Sequence, residues 1–351
     1  MREKVKVSII IPVFNAEKFI SFCIESLIKQ TLRECEFIFI NDGSSDKSKY
    51  LIEEYRKLDP RIILYNQNNQ GVSAARNEGL RRASGSYVGF VDADDFVEID
   101  MFEKLYNVAI SQNSDLLMSN LECEIEGHKV VISPPFPDNK ILDEEFIQDE
   151  VLPYYLMTDD LNSTCNKLYR KELIDKYNLE FPVKVALGED SLFNMSFLSR
   201  ASNCLYLNYT GYHYREVKGS ATRNIIEKDY FKNAIEVYKR EIPKEIFNEG
   251  DFGKLKKYKA IKLIESVLSY IHLYFSPNTE ISFIKRYYYI KRMLKNDSIK
   301  NSLLIYKDEK KLEIGRYEKI LLTFIKLNFT LGLYGITAYS RFRNRKLELI
   351  K

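Results

Sequence analysis

The chain has 351 residues, 45% of them apolar and 29% charged, with a net charge of +3. That length buries a sizeable core and predicts two folding units of ordinary globular composition. Five scattered cysteines (Cys23, Cys35, Cys123, Cys165, Cys204) with no C-x-x-C pair exclude a disulfide framework and a zinc cage, and suit a reducing compartment.

The chain opens MREKVKVSIIIPVF. Its apolar run covers only about 9 residues, is broken by Pro12 and has no small-residue cleavage site after it, so it reads as a buried first strand and not as a signal peptide. Further short apolar runs occur at Phe37–Ile40, Ile62–Tyr65, Tyr87–Val91 and Leu116–Ser119. Between them lie stretches of helical period. In Glu17–Gln30 the residues Phe19, Ile20, Cys23, Ile24, Leu27 and Ile28 share one face. Asp46–Leu58 is a second helix with Ser44 or Ser45 as N-cap, Val72–Ala83 a third, and Asp100–Ser111 a fourth. Alternating strands and helices predict an α/β fold with a mostly parallel sheet covered on both faces. Ligands of such sheets bind beyond the C-terminal strand ends. Four polar loops stand at those positions: Pro12–Glu17, Asn41–Asp46, Asn66–Gly71 and Asp92–Asp95.

From Glu122 the pattern loosens. A strand is predicted at Val130–Ser133, a loop at Pro134–Pro137, a helix at Asp143–Met157, and a turn with a short helix within Cys165–Tyr177. Gly188-Glu189-Asp190 opens a helix over Ser191–Arg200, with its acids at the positive helix end. A strand at Cys204–Leu207 then leads to Gly211-Tyr212-His213-Tyr214-Arg215. Beyond residue 225 the chain reads as Lys-, Tyr- and Ile-rich helices such as Tyr258–Tyr274. Ile320–Tyr339 is apolar but holds Lys326 and Asn328, a weak membrane-span pattern followed by Arg341, Arg343, Arg345 and Lys346. It reads as a core helix or as one lying on an anionic membrane surface.

Charge divides along the chain. Residues 226–351 hold 27 Lys+Arg against 15 Asp+Glu, a net +12, and residues 1–225 carry the balance of −9. The basic part is either a solvated surface or meets an anionic partner. No zinc finger, helix-turn-helix or aromatic RNA-binding signature accompanies it, so nucleic acid is not expected.

Asp92-Ala93-Asp94 ends a strand, where alternation turns two carboxylates toward one point. Oxygen ligands of this kind suit Mg²⁺ or Mn²⁺ held together with substrate phosphates. Asp95 belongs to the same acidic cluster, with N-capping of the next segment as a second option. Asp42 sits before a Gly-Ser-Ser turn, where it either accepts from a base N–H or forms an Asx-turn. Gly71-Val72-Ser73-Ala74-Ala75-Arg76 opens a helix with small residues that let backbone approach a ligand, and Arg76 is placed to reach phosphate. Dinucleotide and P-loop glycine patterns are absent.

Together, VSIIIPVFNAEKFI, FIFINDGSSDKS, NQGVSAARNEGL and GSYVGFVDADDFV resemble glycosyltransferase family 2, the inverting, nucleotide-sugar-dependent enzymes with the GT-A fold. The resemblance is close over residues 5–120 and looser over 160–225, and it leaves 226–351 outside. It implies a GT-A catalytic domain, 1–225; the helical pattern and positive charge of 226–351 give a basic C-terminal domain suited to membrane-surface or acceptor contact. It implies that Pro12, Phe14, Asn15 and Glu17 border a nucleoside, that Asp42 reads uracil, and that Gly71 and Arg76 lie near ribose or phosphate. Asp94 is then a direct metal ligand, Asp92 and Ala93 lie by the ribose, and His213 is a further ligand. Asp190 of the Glu189-Asp190 pair is the general base. Tyr214, Arg215 and Ser220 lie over the diphosphate, and Lys167 of Asn166-Lys167 faces acceptor or phosphate.

The implied reaction moves a hexosyl or N-acetylhexosaminyl group from a UDP-sugar to a hydroxyl of a glycan acceptor. It uses direct displacement assisted by Mn²⁺ or Mg²⁺. A lipid-diphosphate-linked acceptor for surface polysaccharide or capsule, handled at the inner face of the cell membrane, suits the basic C-terminal part. Two other readings remain: a catalytically silent sugar-nucleotide-binding protein, and a Mg²⁺ phosphohydrolase with an aspartate nucleophile. The latter chemistry usually places D-x-D after the first strand, and here the motif comes after the fourth.

Overall fold

The computed structural model describes residues 4–125, 128–183, 185, 188–215, 229–244, 246–247, 252–277 and 281–348. The chain divides into two compact units, Met1–Ser220 and Ala221–Lys351. The boundary expected at 225 falls outside the described residues.

The first unit is built on a ten-stranded sheet. Its first half alternates as the sequence predicts: β1 Val7–Val13, α1 Ile20–Ile28, β2 Cys35–Asp42, α2 Ser48–Arg56, β3 Ile62–Gln67, α3 Val72–Arg82, β4 Tyr87–Phe90. β1 lies between β2 and β4, and β2 pairs with β3, all in parallel. The register Val13↔Asn41 and Ile10↔Phe90 brings the four polar loops to one edge. β1 and β2 are almost wholly buried, as continuous apolar strands covered on both faces require. α3 presses so close to β1 that a Cβ on Gly79 would collide with the Ile10 side chain. Only glycine fits that crossing.

The remainder of the unit runs β5 Phe96–Val97, α4 Met101–Ser111, β6 Leu116–Ile125, β7 His128–Ile132 and β8 Ile141–Asp143. Then come α5 Glu144–Phe146, a π-turn Ile147–Val151, α6 Leu152–Met157, β9 Lys167–Arg170, α7 Lys171–Tyr177, α8 Glu189–Leu198 and β10 Asn203–Tyr214. Three elements differ from expectation. Lys167–Arg170 is a strand, inserted antiparallel between β4 and β6. β10 is far longer than Cys204–Leu207: past bulges near Asn208–Gly211 it stays paired with β6 to Tyr214 while Tyr212 and His213 also pair antiparallel with β5. The serines of the β2 loop do not cap α2. Asp46 takes the Ser48 N–H at 2.9 Å, and Ser44 and Ser45 bond to Asn15.

The second unit is helical: α9 Tyr230–Lys239, α10 Phe252–Tyr274, α11 Phe283–Leu294, α12 Asp297–Glu309, α13 Arg316–Lys326 and α14 Thr330–Glu348. α10 is its axis, burying Leu255, Ile261, Ile264, Val267 and Ile271 and packing on α9, α11 and α12. Each such side chain stabilises by about 1.5–3 kcal/mol. Ile320–Tyr339 is not one helix. It breaks at Asn328, whose φ of 52° is left-handed. No helix among the described residues is long and apolar enough to cross a membrane.

Candidate active site

The site is assembled at the strand-end edge of the first unit. The β1 and β2 loops stitch to each other by hydrogen bonds. Asn15, at φ 49°, accepts the Ser45 N–H at 2.9 Å and donates its own N–H to Ser44 Oγ at 3.1 Å. Glu17 accepts the Lys47 N–H at 3.0 Å and donates its N–H to Asp46 at 2.9 Å. The side chains of Asn15 and Glu17 therefore shape the loop. Pro12 is half-buried, and Phe14 stands 54% exposed, a ring face open to solvent at the end of β1.

Asp42, nearly buried at the end of β2, anchors the next loop. Its Oδ1 accepts from Gln67 Nε2 at 2.7 Å and Gln70 N at 2.9 Å, and its Oδ2 from Gly71 N at 2.8 Å. Gly71 holds φ at 89°, with open space where a Cβ would stand. That conformation starts α3 beside the carboxylate and sets Arg76 one turn in.

Arg76 is the centre of the site. It is 3% exposed. Nη1 donates to Asp190 Oδ1 at 2.6 Å and lies 3.6 Å from Glu189, and Nη2 donates to Asp92 Oδ1 at 3.1 Å. The Phe181 ring lies 5.3 Å beneath the guanidinium. Asn77 fixes that ring, exchanging hydrogen bonds with the Phe181 backbone. Arg76 Nε has no hydrogen-bond partner among the described residues. Burial works against the charge, but Asp190 and Asp92 outweigh it and hold the guanidinium pKa above its ordinary value.

Glu189 and Asp190 form the first turn of α8, which Gly188 opens at φ 78°. Asp190 is pushed up to about 7. Burial is the main cause, Arg76 pulls the other way, and Glu189 and Asp92 add like charge. Its second oxygen, Oδ2, takes no hydrogen bond from any described residue. Such a carboxylate, titrating near neutrality with one oxygen fixed and one open, is equipped to accept a proton.

The Asp92–Asp95 loop divides its labour. Asp92 keeps a side chain 34% exposed, with Oδ1 on Arg76. Ala93 is buried beneath it. The Asp94 carboxylate takes a hydrogen bond from its own backbone N–H, and burial followed by the charge of Asp92 raises its pKa. Asp92 and Asp94 offer two carboxylates two positions apart, the oxygen donors a hard cation takes. Among the described residues no group of three His, Cys, Asp or Glu could hold a metal ion. The fit is therefore to a hard ion bound by two carboxylates and completed by water and phosphate.

Asp95 is not an N-cap. It is 1% exposed and pins β10, accepting Tyr212 Oη–H at 2.6 Å and Arg215 N–H at 2.9 Å. Burial first, then Asp92, pushes it up to about 8.

Two residues expected at the ligand have their hydrogen bonds committed to neighbouring residues. Lys167 is fully buried and donates to Ser163 O at 2.5 Å, Asn166 Oδ1 at 2.8 Å and Leu161 O at 3.0 Å. Its three N–H bonds are spent on the 161–166 loop. Burial lowers its pKa to about 7, against the pull of Cys165 and Asp190. His213 faces Glu122 with Nδ1 at 2.9 Å and Glu98 with Nε2 at 2.8 Å, and stacks on Phe96. Both ring nitrogens are engaged by carboxylates.

At the end of β10, Tyr214 is half-buried and the Arg215 guanidinium sits 4.2 Å over Phe22, with Phe19 and Phe96 each at 5.8 Å. Ser220 lies outside the described residues. The sequence reading missed Phe181, Asn77 and Tyr212. For Tyr212 the signal is its place one strand period before Tyr214. For Phe181 and Asn77 there is none, because their pairing spans 104 positions.

A family model described as "Glycosyl transferase family 2" matches residues 8–177. The uncharacterized glycosyltransferase EpsJ of Bacillus subtilis is 37% identical over 216 residues, 62% of this chain and 62% of EpsJ, so the match spans less than two thirds of that relative. The cholesterol galactosyltransferase of Borreliella burgdorferi is 32% identical over 256 residues, 70% of each chain. Among solved structures, the S. aureus TarS fragment 1–349 in complex with UDP-GlcNAc matches with a TM-score of 0.63 at 19% identity, covering 96% of this chain and 91% of that one. That likeness is one of fold.

Proposed function

This chain belongs to glycosyl transferase family 2, and on that footing we propose that it moves a sugar from a UDP-sugar to a hydroxyl of a glycan acceptor, inverting the anomeric centre. The carrying observation is the Arg76 cluster, which joins the D-x-D loop to the acidic start of α8. In this reading the base stacks by Phe14 and Pro12 near Asp42, and the diphosphate lies toward Asp94 and Arg215. The TarS fragment of like fold was solved with a UDP-sugar, which agrees with that donor class.

The acceptor hydroxyl gives its proton to Asp190 Oδ2 as its oxygen attacks the anomeric carbon opposite the leaving UDP. Arg76 holds Oδ1 and so fixes which oxygen faces the acceptor. It also neutralises part of the charge that Asp92, Glu189 and Asp190 concentrate there. A bound Mn²⁺ or Mg²⁺, held by Asp92 and Asp94, would supply positive charge to the diphosphate leaving group. No covalent intermediate is involved, so no nucleophilic Cys or Ser is needed. A hexosyl or N-acetylhexosaminyl donor and an acceptor linked to a lipid, as in surface polysaccharide synthesis, complete the proposal. One relative is named for transfer to cholesterol, a lipid hydroxyl.

The test is UDP release from a panel of nucleotide sugars, with Mn²⁺ or with EDTA, using wild type, Asp190→Asn and Asp94→Ala. Metal-dependent release from one UDP-sugar, lost in both variants, supports the reading. Failure of UDP with Mn²⁺ to bind at all would sink it.

A further inference from the structure

We propose that the exposed face of α13 and α14 docks on an anionic lipid surface. This deepens the lipid-linked acceptor of the proposed function, yet its evidence lies in the second unit alone. Residues 319–343 contain no Asp or Glu and carry Lys319, Lys326, Arg341 and Arg343. Each helix of the pair buries one stripe: Leu321, Leu322 and Ile325 on α13, Leu333 and Thr337 on α14. The opposite side is not polar, as a solvated helix would have it. It exposes Ile320 at 41%, Leu327 at 66%, Phe329 at 48%, Leu331 at 57%, Tyr339 at 60% and Phe342 at 58%. At 100° per residue Leu331, Tyr339 and Phe342 lie within one quadrant of α14, opposite Leu333 and Thr337. Leu327 and Phe329 flank the Asn328 break and so extend the face across both helices.

Scattered apolar residues need no explanation, but a run of large ones this dense does. Neither helix is long and apolar enough to cross a bilayer. Apolar and aromatic side chains edged by cations, without acids, match the boundary of an anionic membrane, where rings sit at headgroup depth and lysines reach the phosphates. A second copy of the chain fits worse. A two-fold contact would set this acid-free cationic face against itself.

The experiment is flotation of the full chain with phosphatidylcholine vesicles, with and without a third of phosphatidylglycerol, at low and high salt. The expected result is flotation only with phosphatidylglycerol, lost at high salt. Each cation near such a surface is worth about fivefold in binding. Lys326→Glu with Arg343→Glu should therefore weaken flotation by at least about tenfold. Leu331→Ser with Phe342→Ser should abolish it, and circular dichroism should show unchanged helix content in both double variants. UDP release by these variants should equal wild type, which separates this proposal from the transferase reading. Flotation on neutral vesicles alone, flotation insensitive to both double variants, or none at all overturns the proposal. A concentration-dependent dimer lost in the same variants overturns it in favour of a second copy.

Discussion

Arg76 Nη1 donates to Asp190 Oδ1 at 2.6 Å across 114 positions of sequence, while Nη2 holds Asp92 at 3.1 Å. One guanidinium thus carries the charge of an acid from the Asp92–Asp95 loop and one from the first turn of α8, with a third, Glu189, at 3.6 Å. Arg76→Met leaves those carboxylates without a counter-charge. It should cost about 3–5 kcal/mol of stability, measured by denaturant unfolding at neutral pH. Arg76→Lys keeps the charge but has no planar fork to reach both acids, and should lose most UDP release. A Met variant as stable as wild type would show that the clamp does not hold the site.

Asp190→Asn should lower transfer by about 10²–10⁴ while leaving donor affinity unchanged by calorimetry. A raised carboxyl pKa means the acid is still protonated at mildly acidic pH. A base must be ionised, so kcat/KM should rise with pH, with unit slope below about 7, and level off above it. The residual rate of the Asn variant should be flat over the same range. A wild-type profile flat down to about pH 5 would exclude Asp190 as the titrating base.

Asp94 is expected to favour the fold only when a cation is present. Its folded pKa is raised, so its ionisation weakens the fold at pH values above the ordinary carboxylate range. Without metal, Asp94→Asn should therefore melt at or above the wild-type temperature near neutral pH. Mn²⁺ with UDP should raise the wild-type melting temperature and leave that of the variant unmoved. An equal rise in both would remove Asp94 from the metal site.

Lys167 and His213 should behave as framework. Lys167→Met strands two carbonyls and an amide oxygen, at a cost on the order of 2–4 kcal/mol in urea unfolding. His213→Phe leaves Glu98 and Glu122 without their shared partner and should lower the melting temperature. Neither should change the affinity for UDP or the Mn²⁺ dependence of release. A selective loss of metal affinity in His213→Phe would restore it as a ligand.

The order of residues alone settles the first half of the sheet and the edge where the site lies. Continuous β-branched runs such as Val7–Val13 can only be buried on both faces, and strand–helix alternation forces parallel pairing. Polar loops then collect at one edge, where Asp42, Asp92 and Asp94 are legible; Asp190 is reached only through the family resemblance. The partners of those residues are set by folding in three dimensions. Lys167 and His213 carry ligand-like chemistry, but burial and neighbouring acceptors use up their hydrogen bonds, and no local pattern records this. Asp95 looks like a cap until β10 folds back over it and Tyr212 arrives from 117 positions away. Arg76 reads as a phosphate contact because its helix start says so. Only the tertiary fold brings it to Asp92 after β4 and to Glu189 and Asp190 at the start of α8, since Coulomb attraction in a buried site depends on distance in space and not along the chain.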